Sequence, residues 1–317
     1  MNKGVKLISG NANQKLAEEI SQKMKVPLSD VTINSFADGE TFVKINENIR
    51  GYDVFVIQPT CRPVNSNLVE LLVILDALKR ASAQRVTVVM PYYGYARQDR
   101  KDQARVPITA RLMANVIETA GADRVLAMDL HADQIQGFFN KPLDHLYAAP
   151  VFIEYLKKTY EDMIVVAPDV GAIKMARSFA KKLGVDLAVV DKRRLNSVDA
   201  EVMNVLGDVK GRLAVIVDDM VATAGSLVGA AKAVHEKGAK EVVAAITHPV
   251  LVGPAFERIQ NSCISKVIVS NSIQVPEEGL LEKIKVLSVG GLLAAGIQRI
   301  HDNESISSLF KWDAVHI

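Results

Sequence analysis

Short β-branched runs alternate with amphipathic stretches along nearly the whole chain, and no other feature restricts the fold as much. The runs are Val5 to Ser9, Tyr52 to Gln58, Arg85 to Met90, Asp123 to Asp129, Met163 to Pro168, Val185 to Asp191, Leu213 to Asp219, Glu241 to His248, Lys266 to Ser270 and Lys283 to Val289. Helical patterns such as Asn67 to Ala83 and Pro107 to Ala120 lie between them. Apolar runs of strand length separated by helical segments predict βαβ units, an α/β fold in which a mainly parallel sheet is covered by helices on both faces. Gly121, Gly184 and Gly238 each follow a helical run, where glycine commonly closes a helix. One segment departs from the pattern: Val31 to Phe36 and Thr41 to Ile45 flank Ala37-Asp38-Gly39-Glu40, which is too short for a helix and reads as a β hairpin or flap.

With 317 residues the chain has room for two domains of ordinary size. They are expected at 1–147 and 148–317, with Pro142 to Pro150 as the boundary and the last residues able to pack back on the first domain. The net charge is +2, which leaves no electrostatic footprint for nucleic acid or a membrane surface, so neither is expected as a partner. Met1 to Gln14 carries no apolar leader and no apolar run reaches bilayer length, so a cytoplasmic location is expected. Cys61 and Cys263 are far apart and lack metal-ligand spacing, and both read as reduced structural thiols.

The chemistry concentrates where strands end. Asp129, Asp169, Asp191 and Asp218 each close an apolar run, and ligands in open α/β sheets bind beyond the carboxyl ends of the strands, so these acids are expected on one polar rim. Leu213 to Ser226 is the richest stretch: five apolar residues lead into Asp218 and Asp219, then into the small-residue turn Thr223-Ala224-Gly225-Ser226. Backbone N–H groups at such a turn and the positive end of the following helix suit a phosphate, while the acids can accept from sugar hydroxyls or position a metal. Pro168 to Ala172 is a second, weaker phosphate-type turn, in which Asp169 could hold Mg²⁺. Asp129-Leu130-His131, read as extended chain, puts a carboxylate and an imidazole on one side, and either could ligate a cation. The remaining histidines, His145 and His301 among them, read as structural. The basic segments Tyr95 to Pro107 and Asp191 to Arg194 could close over an anionic substrate or remain solvated charge runs.

Seven collinear motifs carry a family resemblance. They are FADGE at Phe36 to Glu40, NENIRG at Asn46 to Gly51, PYYGYARQDRK at Pro91 to Lys101, MDLHADQIQGFF at Met128 to Phe139, VVDKRR at Val189 to Arg194, VDDM at Val217 to Met220 and ESISSLF at Glu304 to Phe310. With them the chain resembles the ribose-phosphate pyrophosphokinase family over essentially its full length. The resemblance implies two tandem phosphoribosyltransferase-like domains with an N-terminal β flap. It also implies transfer of a diphosphoryl group from ATP to the 1-hydroxyl of ribose 5-phosphate, with Mg²⁺ on the phosphates. By position, Asp38, Gly39 and Glu40 in the flap and Arg97 with Gln98 would bind ATP, the flap facing the adenine of a neighbouring subunit. His131 and Asp169 would contact Mg²⁺. Lys192 and Arg194 would be catalytic, stabilising the group in transfer. Arg194, Asp218, Asp219, Ala222, Thr223, Ala224, Gly225 and Ser226 would form the ribose 5-phosphate site. A homohexamer, with mixed assembly with a paralogue as the alternative, and control by phosphate and ADP are implied as well. Ser305 and Ser307 would belong to the regulatory region or cap a C-terminal helix.

The chain departs from the family pattern D-D-x-x-D-T-x-G-T at Ala222 and Ser226, from P-D-x-G-G at Ala172, and from a commonly basic position at Met175. The serine keeps a hydroxyl. Ala222 removes a carboxylate, and Ala172 would carry strain if its position needs φ > 0. The expected activity is therefore a synthetase, with a weakened, nucleotide-binding regulatory paralogue as the alternative. A nucleobase phosphoribosyltransferase would have no use for the intact flap and the YARQD segment.

Overall fold

The computed structural model describes residues 4–193, 202–277 and 282–310, with side chains left out at 192, 193, 202 and 310. The chain divides into two compact units, one built on Met1–Tyr147 and the other on Ala148–Asn271.

In the first unit β1 (Val5–Ser9), β4 (Asp53–Ile57), β5 (Arg85–Met90), β6 (Arg124–Met128) and β7 (Leu143–Leu146) form a five-stranded sheet in the order β1-β4-β5-β6-β7. Every neighbouring pair in it is parallel. Helices α1 (Gln14–Met24), α2 (Val64–Arg80) and α3 (Thr109–Ala120) supply the crossovers. All five residues of β4 are buried, as expected of a strand covered on both faces. The hairpin β2 (Val31–Ser35) and β3 (Thr41–Ile45) pairs antiparallel, separate from the main sheet. Strand β7 lies inside the segment expected to hold the boundary, and the chain divides just after it, between Tyr147 and Ala148.

The second unit contains α4 (Ala149–Thr159), β8 (Met163–Ala167), α5 (Ile173–Leu183), β9 (Leu187–Arg193), β10 (Val202–Leu206), β11 (Leu213–Val221), α6 (Gly225–Glu236), β12 (Glu241–Pro249), α7 (Ala255–Gln260), β13 (Ile264–Ser270) and β14 (Ile284–Leu287). Its seven strands run β10-β9-β8-β11-β12-β13-β14. Only β10 is antiparallel to its neighbour. Its core is aliphatic, with Val166, Ala214, Ile216, Val234, Ala244 and Val267 fully buried. Gly121, Gly184 and Gly238 follow α3, α5 and α6 at positive φ, where an L side chain is strained.

Within the range 148–317 expected for the second domain, the chain from Ser288 onward, with Ser272–Gln274, belongs to the first unit, on which the last residues are expected to be able to pack. The reason is the apolar face of the last helix, α8 (Gly290–His301), whose Leu292, Leu293 and Ile297 are fully buried. It packs on α1, where a Cβ on Gly290 would lie 2.8 Å from Glu19 Oε2. Its C-terminal end is fixed by charge. Asp53, only 1% exposed at the start of β4, accepts from Arg85 Nε at 2.8 Å and pairs with Arg85 Nη2, and its Oδ2 lies 2.8 Å from His301 Nδ1. Arg85 Nη2 also donates to the Ile300 carbonyl at 3.1 Å. His301 is thus structural.

Candidate functional site

Strand order selects where a ligand can sit. From β8 the chain adds β9 on one side, and after the β10 excursion it adds β11 on the other. The connections leaving β8 and β11 therefore depart in opposite directions, which opens a crevice beyond those two strand ends. The first sheet has no such reversal between its central strands. The two loops at the switch point are Pro168 to Ala172 and the turn after β11.

Strand β11 continues through both acids to Val221, because its ladder with β12 extends as far as Val221 opposite Pro249. Asp218 and Asp219 thus project from a strand whose preceding five residues are buried. The Asp218 carboxyl is pushed up to about 8, first by burial, then by the charges of Asp219 and Asp169. The Asp219 N–H donates to Asp218 Oδ1 at 2.9 Å and offsets part of that shift. Three carboxylates that influence one another in a half-buried place are a strong acceptor set for hydroxyls or a cation.

Beyond Val221 the backbone is held from outside. The N–H groups of Leu251 and Val252 donate to the carbonyls of Val221 and Ala222 at 3.0 and 2.9 Å, and Arg258 Nη1 donates to the Thr223 carbonyl at 3.0 Å. Ala224 sits at φ 60°, ψ 6° as the residue before α6, and no side chain caps the helix start. The N–H groups of Gly225 and Ser226 take no partner among the described residues, as first-turn donors do. Uncapped N–H groups at the start of a twelve-residue helix form an anion site. The left-handed conformation costs an alanine about 1–2 kcal/mol. Ala224→Gly should therefore raise the stability of the second unit by about 1 kcal/mol, the flexibility of glycine in the unfolded chain taking back part of the gain. Chemical denaturation of parent and variant checks this; a lower midpoint for the variant would contradict it.

The other turn is simpler. Asp169 is exposed and its Oδ1 accepts from the Ala172 N–H at 3.1 Å. Ala172 has φ −81°, so the strain considered for an alanine at this position does not arise. Met175 is half-buried on α5, and nothing in the structure explains why a basic residue is replaced there.

Several expectations change. Asp169 and Asp218 stand at strand ends of the second sheet and Asp129 directly follows β6 of the first, whereas Asp191 lies within β9, opposite Asn204, rather than at its end. Asp129 has φ 36°, which breaks the extended chain on which the pairing of Asp129 with His131 rested. Asp129 is buried and His131 exposed. His145, which showed no sequence pattern, is buried, and its Nε2 accepts from the Leu130 N–H at 2.9 Å, fixing the loop that carries His131.

In the first unit Asp38, Gly39 and Glu40 form the exposed tip of the hairpin. The Gly39 N–H donates to the Phe36 carbonyl at φ 93°, and the Glu40 N–H donates to Asp38 Oδ1 at 3.1 Å. Phe36, 55% exposed, meets Phe42 edge-on at 5.6 Å and leaves an aromatic face in solvent. Arg97 and Gln98 are exposed, with the Gln98 backbone bonded to Tyr95 and Ala110. The Lys192 backbone lies in β9, but its side chain and all of Arg194 lie outside the described residues. Ser305 Oγ accepts from the Ser307 N–H at 3.2 Å and lies 2.6 Å from Ser307 Oγ, so this pair caps the short 3₁₀ turn Ile306–Phe310. Cys61 is buried, which pushes its thiol up to about 11, and Cys263 is exposed; neither forms a disulfide.

An uncapped helix start and paired acids at the switch point of a parallel sheet define an α/β protein of the class that holds phosphorylated ligands beyond its strand ends. The family model for the N-terminal domain of ribose phosphate pyrophosphokinase matches residues 5–121, and that for the phosphoribosyl synthetase-associated domain matches residues 192–311. The ribose-phosphate pyrophosphokinase of Thermosipho africanus is 54% identical over 97% of this chain and 98% of its own length. That of Bacillus subtilis is 52% identical over 97% and 98%. A crystal structure of phosphoribosylpyrophosphate synthetase from Mycobacterium smegmatis superimposes with a TM-score of 0.91 at 42% identity, covering 95% of this chain and all of that one. The chain belongs to the ribose-phosphate pyrophosphokinase family.

Proposed function

We propose that this chain transfers the diphosphoryl group of ATP to the 1-hydroxyl of ribose 5-phosphate, giving 5-phosphoribosyl 1-diphosphate and AMP. The observation that carries the reading is the turn after β11, which keeps its uncapped N–H groups and its external backbone bonds although residue 222 is alanine. The 5-phosphate would lie on the N–H groups of Thr223 to Ser226, and Asp218 and Asp219 would accept from the ribose hydroxyls. That grip orients the 1-hydroxyl, and orientation supplies much of the barrier reduction in a transfer between two bound substrates. The hydroxyl oxygen attacks the β-phosphorus, the bond from that phosphorus to the α–β bridging oxygen breaks, AMP leaves with the electron pair, and the hydroxyl proton is released. Lys192 and Arg194 would stabilise the charge on the group in transfer. Asp38, Gly39, Glu40, Arg97 and Gln98 would hold ATP, and the Phe36 face suits a base.

Mg²⁺ usually binds proteins through one or two carboxylates plus substrate phosphates. The donor chemistry fits that mode, because Asp169 at the switch point offers a carboxylate in solvent. Asp169 and His131 would hold the ion, which when bound neutralises phosphate charge. No helix among the described residues is long and apolar enough to cross a membrane; a cytoplasmic location is the one we assign. A homohexamer is the assembly we assign, with the flap reaching a neighbouring active site.

The test is AMP formation from ATP that depends on ribose 5-phosphate. The parent chain should turn over, and Ala222→Asp should raise kcat/KM for ribose 5-phosphate about tenfold, the worth of a charge-assisted hydrogen bond. A silent parent that retains ATP binding would favour the regulatory reading instead.

A further inference from the structure

We infer that Arg258 is a positioning residue for the phosphate-binding turn. The inference rests on the sugar-phosphate reading of that turn and extends it to a residue on another element. Arg258 lies on α7, the short helix after β12, and its Nη1 donates to the Thr223 carbonyl at 3.0 Å. A Cβ added to Gly225 would come within 3.2 Å of the same nitrogen, so the guanidinium lies directly against the start of α6.

Three consecutive carbonyls, those of Val221, Ala222 and Thr223, are held by donors from one segment, Leu251 to Arg258. Two of those donors are backbone N–H groups that any sequence would supply. The third is a side chain and can be removed by substitution. Holding a carbonyl fixes the plane of its peptide, and the N–H on the other end of the Thr223 peptide belongs to Ala224. Arg258 therefore sets the direction of the turn's donors, next to a residue already held at φ 60°. With alanine at position 222, no carboxylate at the turn shares this task.

The guanidinium also brings charge. Its remaining donors take no partner among the described residues, and the side chain is exposed. A positive group beside an anion site strengthens phosphate binding by attraction as well as by geometry. Ribose 5-phosphate should feel both effects, and ribose, which lacks the phosphate, should feel neither.

Binding of ribose 5-phosphate to the full chain, measured by calorimetry for the parent, Arg258→Gln and Arg258→Lys, tests the role without requiring turnover. Arg258→Gln should weaken binding about tenfold, in line with the loss of a charge-assisted hydrogen bond. Arg258→Lys should recover part of that loss, and ATP affinity and the melting temperature should stay at parent values. Equal affinity in parent and Arg258→Gln would overturn the role while leaving the sugar-phosphate reading intact. Equal loss of ribose 5-phosphate and ATP binding with a lowered melting temperature would also overturn it, as a sign of general unfolding. A parent that does not bind ribose 5-phosphate would overturn both the reading and the role.

Discussion

Asp218→Asn should make the chain more stable and less able to use ribose 5-phosphate. The carboxyl is pushed from 3.8 to about 8 by burial and by the charges of Asp219 and Asp169. The folded state thus holds a proton that the unfolded chain has lost. The stabilising contribution of that proton is complete below pH 3.8 and is lost progressively as pH rises toward about 8. Asparagine carries no charge at any pH, so the variant's advantage in melting temperature should grow between pH 5 and pH 9. Its kcat/KM for ribose 5-phosphate should fall on the order of 10²-fold, since a carboxyl that can ionise on accepting from a sugar hydroxyl becomes an amide that cannot. Calorimetry across that pH range and steady-state kinetics read the two effects. A melting-temperature difference that is flat with pH would remove the proposed origin of the carboxyl's shift, and unchanged kinetics would take Asp218 out of the sugar site. Opposite signs in stability and activity are expected of groups kept for function at a local energetic cost.

Arg85→Ala should be the most destabilising single change at the junction of the first sheet and α8. Asp53 is 1% exposed, and removing its bidentate partner leaves a buried carboxylate with, among the described residues, only His301 beside it. Breaking a buried ion pair in this one-sided way costs about 3–5 kcal/mol. The Ile300 carbonyl loses a donor as well. Denaturant unfolding should show the transition of the first unit shifted to lower concentration, with that of the second unit in place. Arg85→Lys should recover only part of the loss, because an ammonium cannot reproduce the two-pronged contact. A cost below about 1 kcal/mol for Arg85→Ala would place this pair with ordinary surface salt bridges.

Much of this architecture could be read from residue patterns because the determining signals are local and repeated. Buried parallel strands need continuous apolar runs, and those runs stand out between amphipathic helices. The strands that escaped notice, β7 and β10, lie at sheet edges: Leu143–Leu146 is four residues with an Asp and a His inside, and Val202–Leu206 is interrupted by Asn204. Edge strands have one exposed side and tolerate such residues. The return of α8 to the first unit depends on which apolar face it fits, a long-range matter that the helix's own sequence does not encode.

The candidate site was legible to the same degree. The acids near the end of β11 and the small residues after it announced a phosphate turn, since a helix start needs few side chains to bind an anion. Backbone angles were not legible. Nothing about Asp129 signals φ 36°, and nothing about Ala172 signals φ −81°. Each reversed an expectation, the first by separating Asp129 from His131, the second by removing a supposed strain. Arg258 was out of reach because its partner lies 35 positions away and no local pattern links them.

The most direct measurement follows the group that moves. ATP labelled at the β-phosphorus is incubated with ribose 5-phosphate, Mg²⁺ and the purified chain, and the products are separated. The account predicts label in the 1-diphosphate of the sugar product, one AMP for each product formed, and no ADP. Label released as inorganic phosphate, formation of ADP, or no transfer from a chain that binds both substrates would contradict it.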